Sequence, residues 1–403
     1  MANIFKIIYC RTYQAIMYVA MRFLHIRTPK YFCEENCLSK IDVILSENHY
    51  KKPLVVTDNS LYKLGLVNPL LSILKEKNIN HALFYDVEPN PSTDVVLKGL
   101  KIYQENNCDC IISFGGGSSM DAAKIILAKS VSKKAISKMK GNLKIHKKLP
   151  LHIAIPTTAG TGSETTLASV ISDHQSKQKY PINDPCLVPH FALLDPNNLL
   201  SLPGSITSTT GMDALTHAVE AYIGRANTRY TKKKSLEAIK LIFENLENSY
   251  ANPKDITYRK NMLLASFYAG VSFTRAYVGY VHSVAHSLGA YYNVAHGLAN
   301  AIILPIVLEK YGKSIYKKIG KIVDYLSLCD KKETNEYKTK LFISKIKEMN
   351  NNMNIINNFK DKIILDDIPE LIQRANKEAN PLYPVPKIFD YKDFEEIYIS
   401  LKR

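Results

Sequence analysis

Histidines and an aspartate in the second half of the chain have the types and spacing of metal ligands. Asp213 and His217 lie four residues apart in TGMDALTHAVEAY, and His282 and His286 do so in YVHSVAHSLGAYYNVAHG. Residues at this spacing share one face of a helix, where carboxylate and imidazole groups can bind a single divalent ion. A lone DxxxH pair also occurs often by chance, as a helix cap or a surface hydrogen bond.

A third histidine, His296, completes this uncharged stretch ten residues after His286. Buried imidazoles without partners are costly, so three in one apolar stretch favour a common partner such as a metal. Five side chains are then candidates for one ion. A catalytic metal keeps a coordination position open for substrate, which leaves at least one candidate outside the coordination sphere. Spacing alone favours the two i,i+4 pairs.

Two turns rich in glycine and hydroxyl groups have the composition of nucleotide sites. FGGGSSMD (114–121) lies between a predicted strand and a predicted helix, and PTTAGTGSE (156–164) follows another strand. Glycine lets the backbone approach a pyrophosphate, and N–H groups at a helix start favour negative charge. The spacing differs from GxGxxG, and ordinary tight turns share this composition. Asp58, after the first predicted strand, could bind a ribose diol or cap a helix.

Alternating strand and helix patterns position these turns. From about residue 50 they predict a parallel sheet with crossover helices. The predicted strands are 53–57, 81–87, 108–114, 151–157, 167–173 and 190–195. Open α/β sheets bind ligands at the carboxyl ends of their strands, where both turns lie. From about Thr207 the patterns are helical, so we predict an α/β dinucleotide-binding domain with a parallel sheet, followed by an all-α metal-binding domain.

Length and chain punctuation predict the domain boundaries. A chain of 403 residues is long enough for two domains. Pro203 and Gly204 interrupt the pattern where strands give way to helices. We therefore predict a basic amphipathic extension over 1–30, an α/β NAD(P)-binding domain over 31–203, and an all-helical metal and catalytic domain over 204–403.

The composition is that of a globular protein with an excess of basic residues. A formal net charge of +16 suits an anionic partner such as a nucleotide, a nucleic acid or a lipid surface, although lysines spread along the chain favour a solvated surface. The sequence has no RNP motif, zinc finger or concentrated basic and aromatic strip, so we expect no nucleic-acid binding. Seven cysteines without a CxxC pair are typical of reduced thiols and predict a cytoplasmic protein.

The first 30 residues contain five basic residues and no acid. No apolar run reaches the roughly 20 residues that span a bilayer. Polar residues interrupt the apolar stretches, and no small-residue cleavage site follows, which argues against an export signal. We expect a helix that packs on the body of the protein or on a partner subunit, with peripheral membrane contact as the alternative.

Taken together, these motifs resemble the iron-containing (group III) alcohol dehydrogenases, relatives of lactaldehyde reductase, butanol dehydrogenases and glycerol dehydrogenase. The matching stretches are GGGSSMDAAK, IPTTAGTGSE, LLDPNNLLSLP, TGMDALTHAVEAY and VHSVAHSLGAYYNVAHGLANAIILP, in the family's order over roughly residues 50 to 310. The resemblance implies a homodimeric NAD(P)-dependent enzyme. It would interconvert a small primary alcohol or diol and its aldehyde, with Fe(II), or alternatively Zn(II), as Lewis acid.

Matched position by position, the resemblance also implies roles for single residues. The metal ligands fall on Asp213, His217, His282 and His296, and His286 matches a histidine close to the nicotinamide and the substrate. The pyrophosphate contacts fall on Gly115, Gly116, Gly117 and Ser118, with Asp121 nearby. Thr157, Thr158 and Thr161 should face the phosphates and the nicotinamide ribose, and Lys179 the cofactor. Asp58 matches an acid near the adenosine ribose, which would repel a 2′-phosphate and favour NAD(H) over NADP(H).

Departures from the family pattern concern the substrate and the assembly. Arg275 stands where many relatives carry asparagine, and the first 30 residues precede the usual family start. Asn376, Lys377 and Glu378 fall where relatives line the substrate pocket, so we expect them to influence specificity. The alternatives within the same fold are a glycerol dehydrogenase-like polyol dehydrogenase and a dehydroquinate synthase-like lyase. Both resemble a site with three protein ligands, which the four-ligand pattern disfavours.

Overall fold

The computed structural model describes residues 4–173 and 178–403, which form two compact units. The sheet unit comprises His25–Leu202 and Lys254–Gly270. The helical unit comprises the chain up to Leu24 together with Pro203–Pro253 and Val271–Arg403. The predicted fold class is confirmed, since a parallel sheet precedes a helical region. The boundaries predicted at residues 30 and 203, as limits of independently folding domains, stay predictions.

Nine strands form two sheets in the described part of the sheet unit. The strands are β1 (Lys30–Phe32), β2 (Pro53–Asp58), β3 (Ala82–Val87), β4 (Cys110–Gly115), β5 (Gly141–Asn142), β6 (His152–Pro156), β7 (Ala168–Asp173), β8 (Gln178–Asn183) and β9 (Phe191–Leu193). The main sheet has the order β1-β9-β6-β4-β2-β3, and its neighbouring strands pair in parallel. A smaller sheet has the order β5-β8-β7, with β7 and β8 antiparallel. The predicted strand 167–173 therefore belongs to the smaller sheet.

Fifteen α-helices are described along the chain. They are α1 (Ile4–Phe23), α2 (Ile41–Glu47), α3 (Asn59–Lys63), α4 (Asn68–Glu76), α5 (Thr93–Glu105), α6 (Gly117–Val131), α7 (Gly204–Ile223), α8 (Arg229–Ala251), α9 (Ile256–Ala276), α10 (Tyr280–Tyr292), α11 (His296–Tyr311), α12 (Tyr316–Leu326), α13 (Asn335–Asn352), α14 (Ile368–Ala379) and α15 (Tyr391–Lys402). None of these described helices is long and apolar enough to cross a membrane.

The central strands are buried because helices cover both faces of the main sheet. Successive side chains of β2 point to opposite faces, as strand geometry requires. Leu54 and Val56 join one apolar cluster with residues of α5 and α6, whereas Val55 joins another with residues of α2 and α4. This arrangement places the ends of β4 and β6, and the turns that follow them, at one edge of the sheet.

Three helices of the helical unit position the metal candidates. Most residues of α7 are buried, which is typical of a helix surrounded by other helices. It packs against α8 and α11, and α10 packs against α11 and α14. Within the part of the chain that the structure describes, the helical unit contains no strand. Because α10 packs against α14, the end of α14 and the segment after it lie beside α10, which carries two of the histidines.

Candidate functional site

Four side chains from three helices converge in the helical unit. Asp213 and His217 lie on α7, His282 lies on α10, and His296 is the first residue of α11. Their ligand atoms all lie within 4.8 Å of one another, and Asp213 Oδ1 is 3.4 Å from His296 Nε2. Ligands about 2.1 Å from a tetrahedral ion lie about 3.4 Å apart. The spacing is therefore close to what one ion requires.

Burial keeps the imidazole of His282 in the neutral form that binds metals. Asp213, His217 and His282 are buried, whereas the His296 side chain is 39% exposed. Burial, reinforced by the neighbouring histidines, lowers the pKa of His282 well below its usual value, so its imidazole is neutral. One carboxylate with three imidazoles suits Fe(II) and Zn(II) alike. The residues present thus fit a divalent ion, with an approach beside His296.

Glu220, which the sequence interpretation missed, orients His282. Its Oε2 lies 2.6 Å from His282 Nδ1, and the backbone N–H groups of Gly279 and Val281 donate to the same carboxyl group at 2.8 Å each. Burial raises the pKa of Glu220 to about 8. Fixing Nδ1 in this way leaves His282 Nε2 directed at Asp213. The available signal was its position on α7, seven residues after Asp213 and on the same face.

Asn300 is a second residue that the sequence interpretation missed. Its Nδ2 donates to Asp213 Oδ1 at 2.7 Å and lies 3.1 Å from His296 Nε2. It is fully buried on α11, one turn after His296. An amide in this position restrains the carboxylate that faces the three imidazoles. The i,i+4 spacing of histidine and asparagine in HGLAN was the only signal in the sequence.

The structure leaves His286 outside the group of four. Its Nδ1 lies 2.7 Å from Glu378 Oε1, which also accepts a 2.7 Å hydrogen bond from the Tyr383 hydroxyl. Burial would raise the pKa of Glu378, but the charge and hydrogen bond of His286 bring it below its usual value. The His286 ring stacks on that of His296 at 5.1 Å. His286 is therefore held beside the metal candidates by a carboxylate of its own.

The first glycine turn joins β4 to α6 in the sheet unit. Gly115 has φ +153°, and a Cβ there would lie 2.4 Å from Ser119 Oγ. Gly116, the N-cap residue, has no side chain that could cap the N–H groups at the start of α6. Thr157 donates its N–H to the Gly115 carbonyl at 3.1 Å, which ties the second turn to the first. The free helix start fits an anionic group.

Threonines of the second turn face the first. A Cβ on Gly116 would lie 3.5 Å from Thr158 Oγ1, and one on Gly117 would lie 3.4 Å from Thr161 Oγ1. Side chains at either glycine would fill the space between the two turns. The structure thus brings the predicted phosphate residues together, and the space beside them fits the pyrophosphate of a dinucleotide. Their contacts with a cofactor stay a prediction.

Two further predicted cofactor residues lie around the start of α6. Ser118 Oγ accepts a hydrogen bond from the Asn90 N–H at 3.3 Å, and Lys179 Nζ donates to the Asn90 side chain. Burial lowers the pKa of Lys179, and the Asp121 carboxylate opposes this shift. The carboxylate of Asp121 itself accepts from Ser163 Oγ at 3.2 Å and from a backbone N–H of β7. Asp121 therefore ties α6 to the second turn.

Asp58 caps a helix at the end of β2. Its Oδ1 accepts a 2.9 Å hydrogen bond from the Leu61 N–H at the start of α3. Beyond it, the rings of Tyr62 and Tyr85 stack at 4.2 Å. Within the part of the chain that the structure describes, this half-buried carboxylate makes no hydrogen bond through its second oxygen. Recognition of a ribose by Asp58 stays a prediction.

A buried lysine, Lys124, was also missed from the sequence. Its Nζ donates hydrogen bonds at 2.8 to 3.0 Å to Ser163, Thr166 and the Ala168 carbonyl. Burial lowers its pKa to about 8 although Asp121 and Glu164 oppose the shift. Lys124 thus fastens the end of the second turn to α6. The only signal was a charge among apolar residues of a predicted buried helix.

Comparison with known proteins agrees with this arrangement. Residues 28–196 match the family model "Iron-containing alcohol dehydrogenase", and residues 207–401 match "Fe-containing alcohol dehydrogenase family, C-terminal". Alcohol dehydrogenase 4 of Saccharomyces cerevisiae is 35% identical over 357 residues, covering 87% of this chain and 91% of its own. The NADPH-dependent butanol dehydrogenase of Clostridium saccharobutylicum is 36% identical over 314 residues, covering 77% and 80%.

A solved structure of 1,3-propanediol oxidoreductase is similar over 94% of this chain and 99% of its own, with a TM-score of 0.90 and 31% identity. Both halves of the chain thus match one family in order, and the four converging side chains lie within the C-terminal match. The resemblance predicted from the sequence motifs is confirmed, and the chain belongs to the iron-containing alcohol dehydrogenase family.

Proposed function

We propose that this protein is a metal-dependent alcohol dehydrogenase that interconverts a small primary alcohol or diol and its aldehyde, by hydride transfer to or from a nicotinamide cofactor. The convergence of Asp213, His217, His282 and His296 on one point carries the proposal. Family membership supports the reaction, and the names of the butanol and propanediol relatives support the substrate class. A polyol dehydrogenase of the glycerol dehydrogenase type is the alternative.

Different residues of the helical unit bind the metal, orient its ligands and transfer the proton. The four side chains would hold a divalent ion, Fe(II) or alternatively Zn(II), which when bound would supply a Lewis acid for the substrate oxygen. Glu220 and Asn300 keep His282 and Asp213 oriented toward that position. His286 accepts or returns the alcohol proton at Nε2 while its Nδ1 donates to Glu378. The carboxylate stabilises the protonated imidazole that this exchange creates.

The sheet unit binds the cofactor, whose nicotinamide carries the hydride. The glycines and Ser118 would hold the pyrophosphate at the start of α6, and the three threonines of the second turn would face the phosphates and the nicotinamide ribose. The helix start without a side-chain cap and the space between the two turns support this proposal. A carboxylate at Asp58 repels a 2′-phosphate and favours NAD(H). Preference differs among relatives, because the Clostridium saccharobutylicum protein is named as NADPH-dependent.

Metal content separates the roles of the three histidines. His282→Ala and His296→Ala remove proposed ligands, so anaerobically purified variants should lose bound metal. His286→Ala should retain the metal and turn over slowly, because only the proton path is lost. Metal analysis of each variant, with NADH-linked assays on short aldehydes, hydroxyaldehydes and diols, tests the assignment. Loss of metal from His286→Ala would contradict it, and a lyase would show no net NADH consumption.

The cofactor preference has its own test. Asp58→Gly removes the charge that faces the ribose, so the preference for NADH over NADPH should weaken. The ratio of kcat/KM for NADH to kcat/KM for NADPH should therefore fall. Glycine is tolerated at an N-cap, so loss of the α3 cap lowers stability by only a few tenths of a kcal/mol and leaves a folded enzyme to measure. An unchanged ratio would mean that Asp58 acts only as a cap.

A homodimer in the cytoplasm completes the proposal. The family resemblance supports the assembly, and seven free cysteines suit a reducing compartment. Light scattering of the purified protein measures the assembly directly, and a monomeric mass would contradict it.

A further inference from the structure

The amphipathic helix α1 attaches to the helical unit by its polar face. Lys6 Nζ donates to Asn376 Oδ1 at 2.9 Å, and Arg11 donates to the carbonyls of Val385 and Pro386 at 2.7 and 2.9 Å. Gln14, which is buried, donates to the carbonyls of Pro381 and Tyr383. These bonds fix the orientation of α1 because the segment they reach, 376–386, lies on one side of the helix.

The opposite face of α1 is apolar and exposed. It comprises positions 4, 5, 8, 9, 12, 15, 16, 19, 20, 22 and 23, among which Thr12 and the basic Arg22 have aliphatic polar or charged side chains. Its large apolar side chains are 54% to 85% exposed, namely Ile4, Phe5, Ile8, Tyr9, Ile16, Val19 and Phe23. A helix of 20 residues is about 30 Å long, so this is a continuous patch of a kind that marks an interaction surface.

A basic depression lies next to the segment that holds α1. It has a volume of about 370 Å³, and Arg225, Lys232 and Lys318 line it together with Asn227 and Ser314. None of the described residues that line it is acidic. Burial, together with the nearby positive charges of Lys232 and Arg225, lowers the pKa of Lys318 to about 8. Lys318 Nζ donates hydrogen bonds to the Ile223 and Gly224 carbonyls at the end of α7. A cluster of basic side chains without an acidic lining residue favours an anionic ligand.

One short segment connects the apolar patch with the depression. Pro386 lines the depression and accepts a hydrogen bond from Arg11 of α1. Two residues earlier, the Pro384 carbonyl accepts a 2.6 Å hydrogen bond from the Arg225 N–H. The positive charge of Arg225 also acts on Arg11, whose pKa is lowered by burial and by that charge. An apolar helix face and a basic cluster are thus neighbours within one unit.

We propose that this part of the helical unit binds the surface of an anionic membrane, with the apolar face of α1 at the headgroup–acyl boundary and the basic depression facing lipid phosphates. The chemistry fits, because interfacial helices bind through buried apolar area combined with attraction to anionic lipids. The first 30 residues contain no acid, and the whole chain has a net charge of +16. The contact is peripheral, since no described helix is long and apolar enough to span a bilayer.

Charge also decides against a second copy of the chain as the occupant of this surface. Two copies joined through α1 would bring two basic depressions and two acid-free helices toward each other, and like charges repel. An anionic lipid surface removes this cost and supplies apolar contact at the same time.

Sedimentation of the full-length protein with vesicles tests the apolar face. We expect binding to vesicles of phosphatidylcholine with phosphatidylserine, and none to phosphatidylcholine alone. Combined Phe5→Ser, Ile8→Ser and Ile16→Ser should abolish binding and leave alcohol oxidation in solution unchanged. The matched control replaces three apolar residues of similar exposure elsewhere, Ile356→Ser, Ile364→Ser and Leu365→Ser, and should bind like the unsubstituted protein.

A charge-matched pair of variants tests the depression. Arg225→Gln with Lys232→Gln should weaken binding roughly 30-fold, because each basic residue near an anionic surface contributes about five-fold. Both side chains are exposed, so the fold should be unaffected. The control, Lys331→Gln with Lys332→Gln, removes the same charge at exposed positions that do not line the depression. Its binding should stay within about two-fold of that of the unsubstituted protein, well below the five-fold effect of one basic residue near the membrane.

Three outcomes would overturn the proposal. The first is failure of the unsubstituted protein to sediment with anionic vesicles. The second is equal loss of binding in a control and in its matched test variant, which would reduce the effect to overall charge or overall hydrophobicity. The third is a fall in molecular mass, measured by light scattering without lipid, for the α1 variant alone. That result would assign the apolar face to a second copy of the chain.

Discussion

The pairing of His286 with Glu378 leads to a prediction about the proton path. Glu378→Gln keeps the size of the side chain but removes the charge that stabilises a protonated His286. We expect kcat for alcohol oxidation to fall roughly ten-fold or more. The acidic limb of the pH–rate profile should move to lower pH, because the imidazole then binds its proton less tightly. Stopped assays across the pH range measure both effects.

Two comparisons separate this positioning role from a structural one. Glu370→Gln changes an exposed glutamate of the same helix, which pairs only with Arg374 among the described residues, and should leave the profile in place. Glu378→Gln should bind as much metal as the unsubstituted enzyme. Among the described residues, Glu378 forms hydrogen bonds with His286 and Tyr383 and with none of the four ligand candidates. A slow variant with an unmoved profile would show that Glu378 only supports the fold.

At the residue scale, sequence motifs predicted the groups that converge but not those that orient them. Spacing and apolar setting pointed to one ion but favoured His286 over His296, whereas the family resemblance implied the four side chains that the structure brings together. Glu220 and Asn300 act through hydrogen bonds to residues 62 and 87 positions away. Such partners are set by how α7, α10 and α11 pack, which the pattern within one helix does not specify.

At the scale of elements, the connection between β6 and β7 contains a buried carboxyl group with a consequence for stability. Burial raises the pKa of Glu164 to about 7, above its usual value near 4.5. The folded protein therefore retains a proton that the unfolded chain has lost. The stability this contributes is complete below about pH 4.5 and is lost as pH rises through about 7. Glu164→Gln removes this dependence.

The stability of Glu164→Gln relative to the unsubstituted protein should increase as the pH rises. From pH 4.5 to 8, the difference in free energy of unfolding should shift toward Glu164→Gln by up to about 3 kcal/mol. Urea unfolding without added cofactor at several pH values measures this shift. Glu88→Gln, at an exposed position, should show a constant difference. A constant difference for Glu164→Gln as well would mean that its carboxyl group is ionised in the folded protein.

Strands with a clear hydrophobic pattern were predicted well, whereas short strands that form because they pair with other strands were not. Strands β2, β4 and β6 are buried apolar runs, which is what their sequences indicated. β1 spans only three residues, two of them exposed, and exists because it pairs with β9. β8 pairs with β7 and with β5 outside the main sheet. Short strands of this kind depend on long-range pairing and leave little periodicity in the sequence.

At the scale of the whole molecule, the two units should respond to different ligands. A ligand that binds only the folded state stabilises it by about 2.7 kcal/mol at 100 times its dissociation constant, and local opening near the site is suppressed first. Hydrogen exchange read by mass spectrometry separates the units. Removal of metal by a chelator should speed exchange in α7, α10 and the start of α11. Addition of NAD should slow exchange in 114–121 and 156–164.

The variant His296→Ala separates the response to metal from the response to NAD. Without one ligand, the helical unit should lose the protection that depends on metal, whereas NAD should still protect the two turns because none of their residues belongs to the group of four. Gly116→Val is the converse variant. Its side chain enters the space beside Thr158, so protection by NAD should vanish while protection by metal remains. Metal-dependent protection that persists in His296→Ala would contradict the assignment of His296 as a ligand, because Asp213, His217 and His282 would then hold the ion without it.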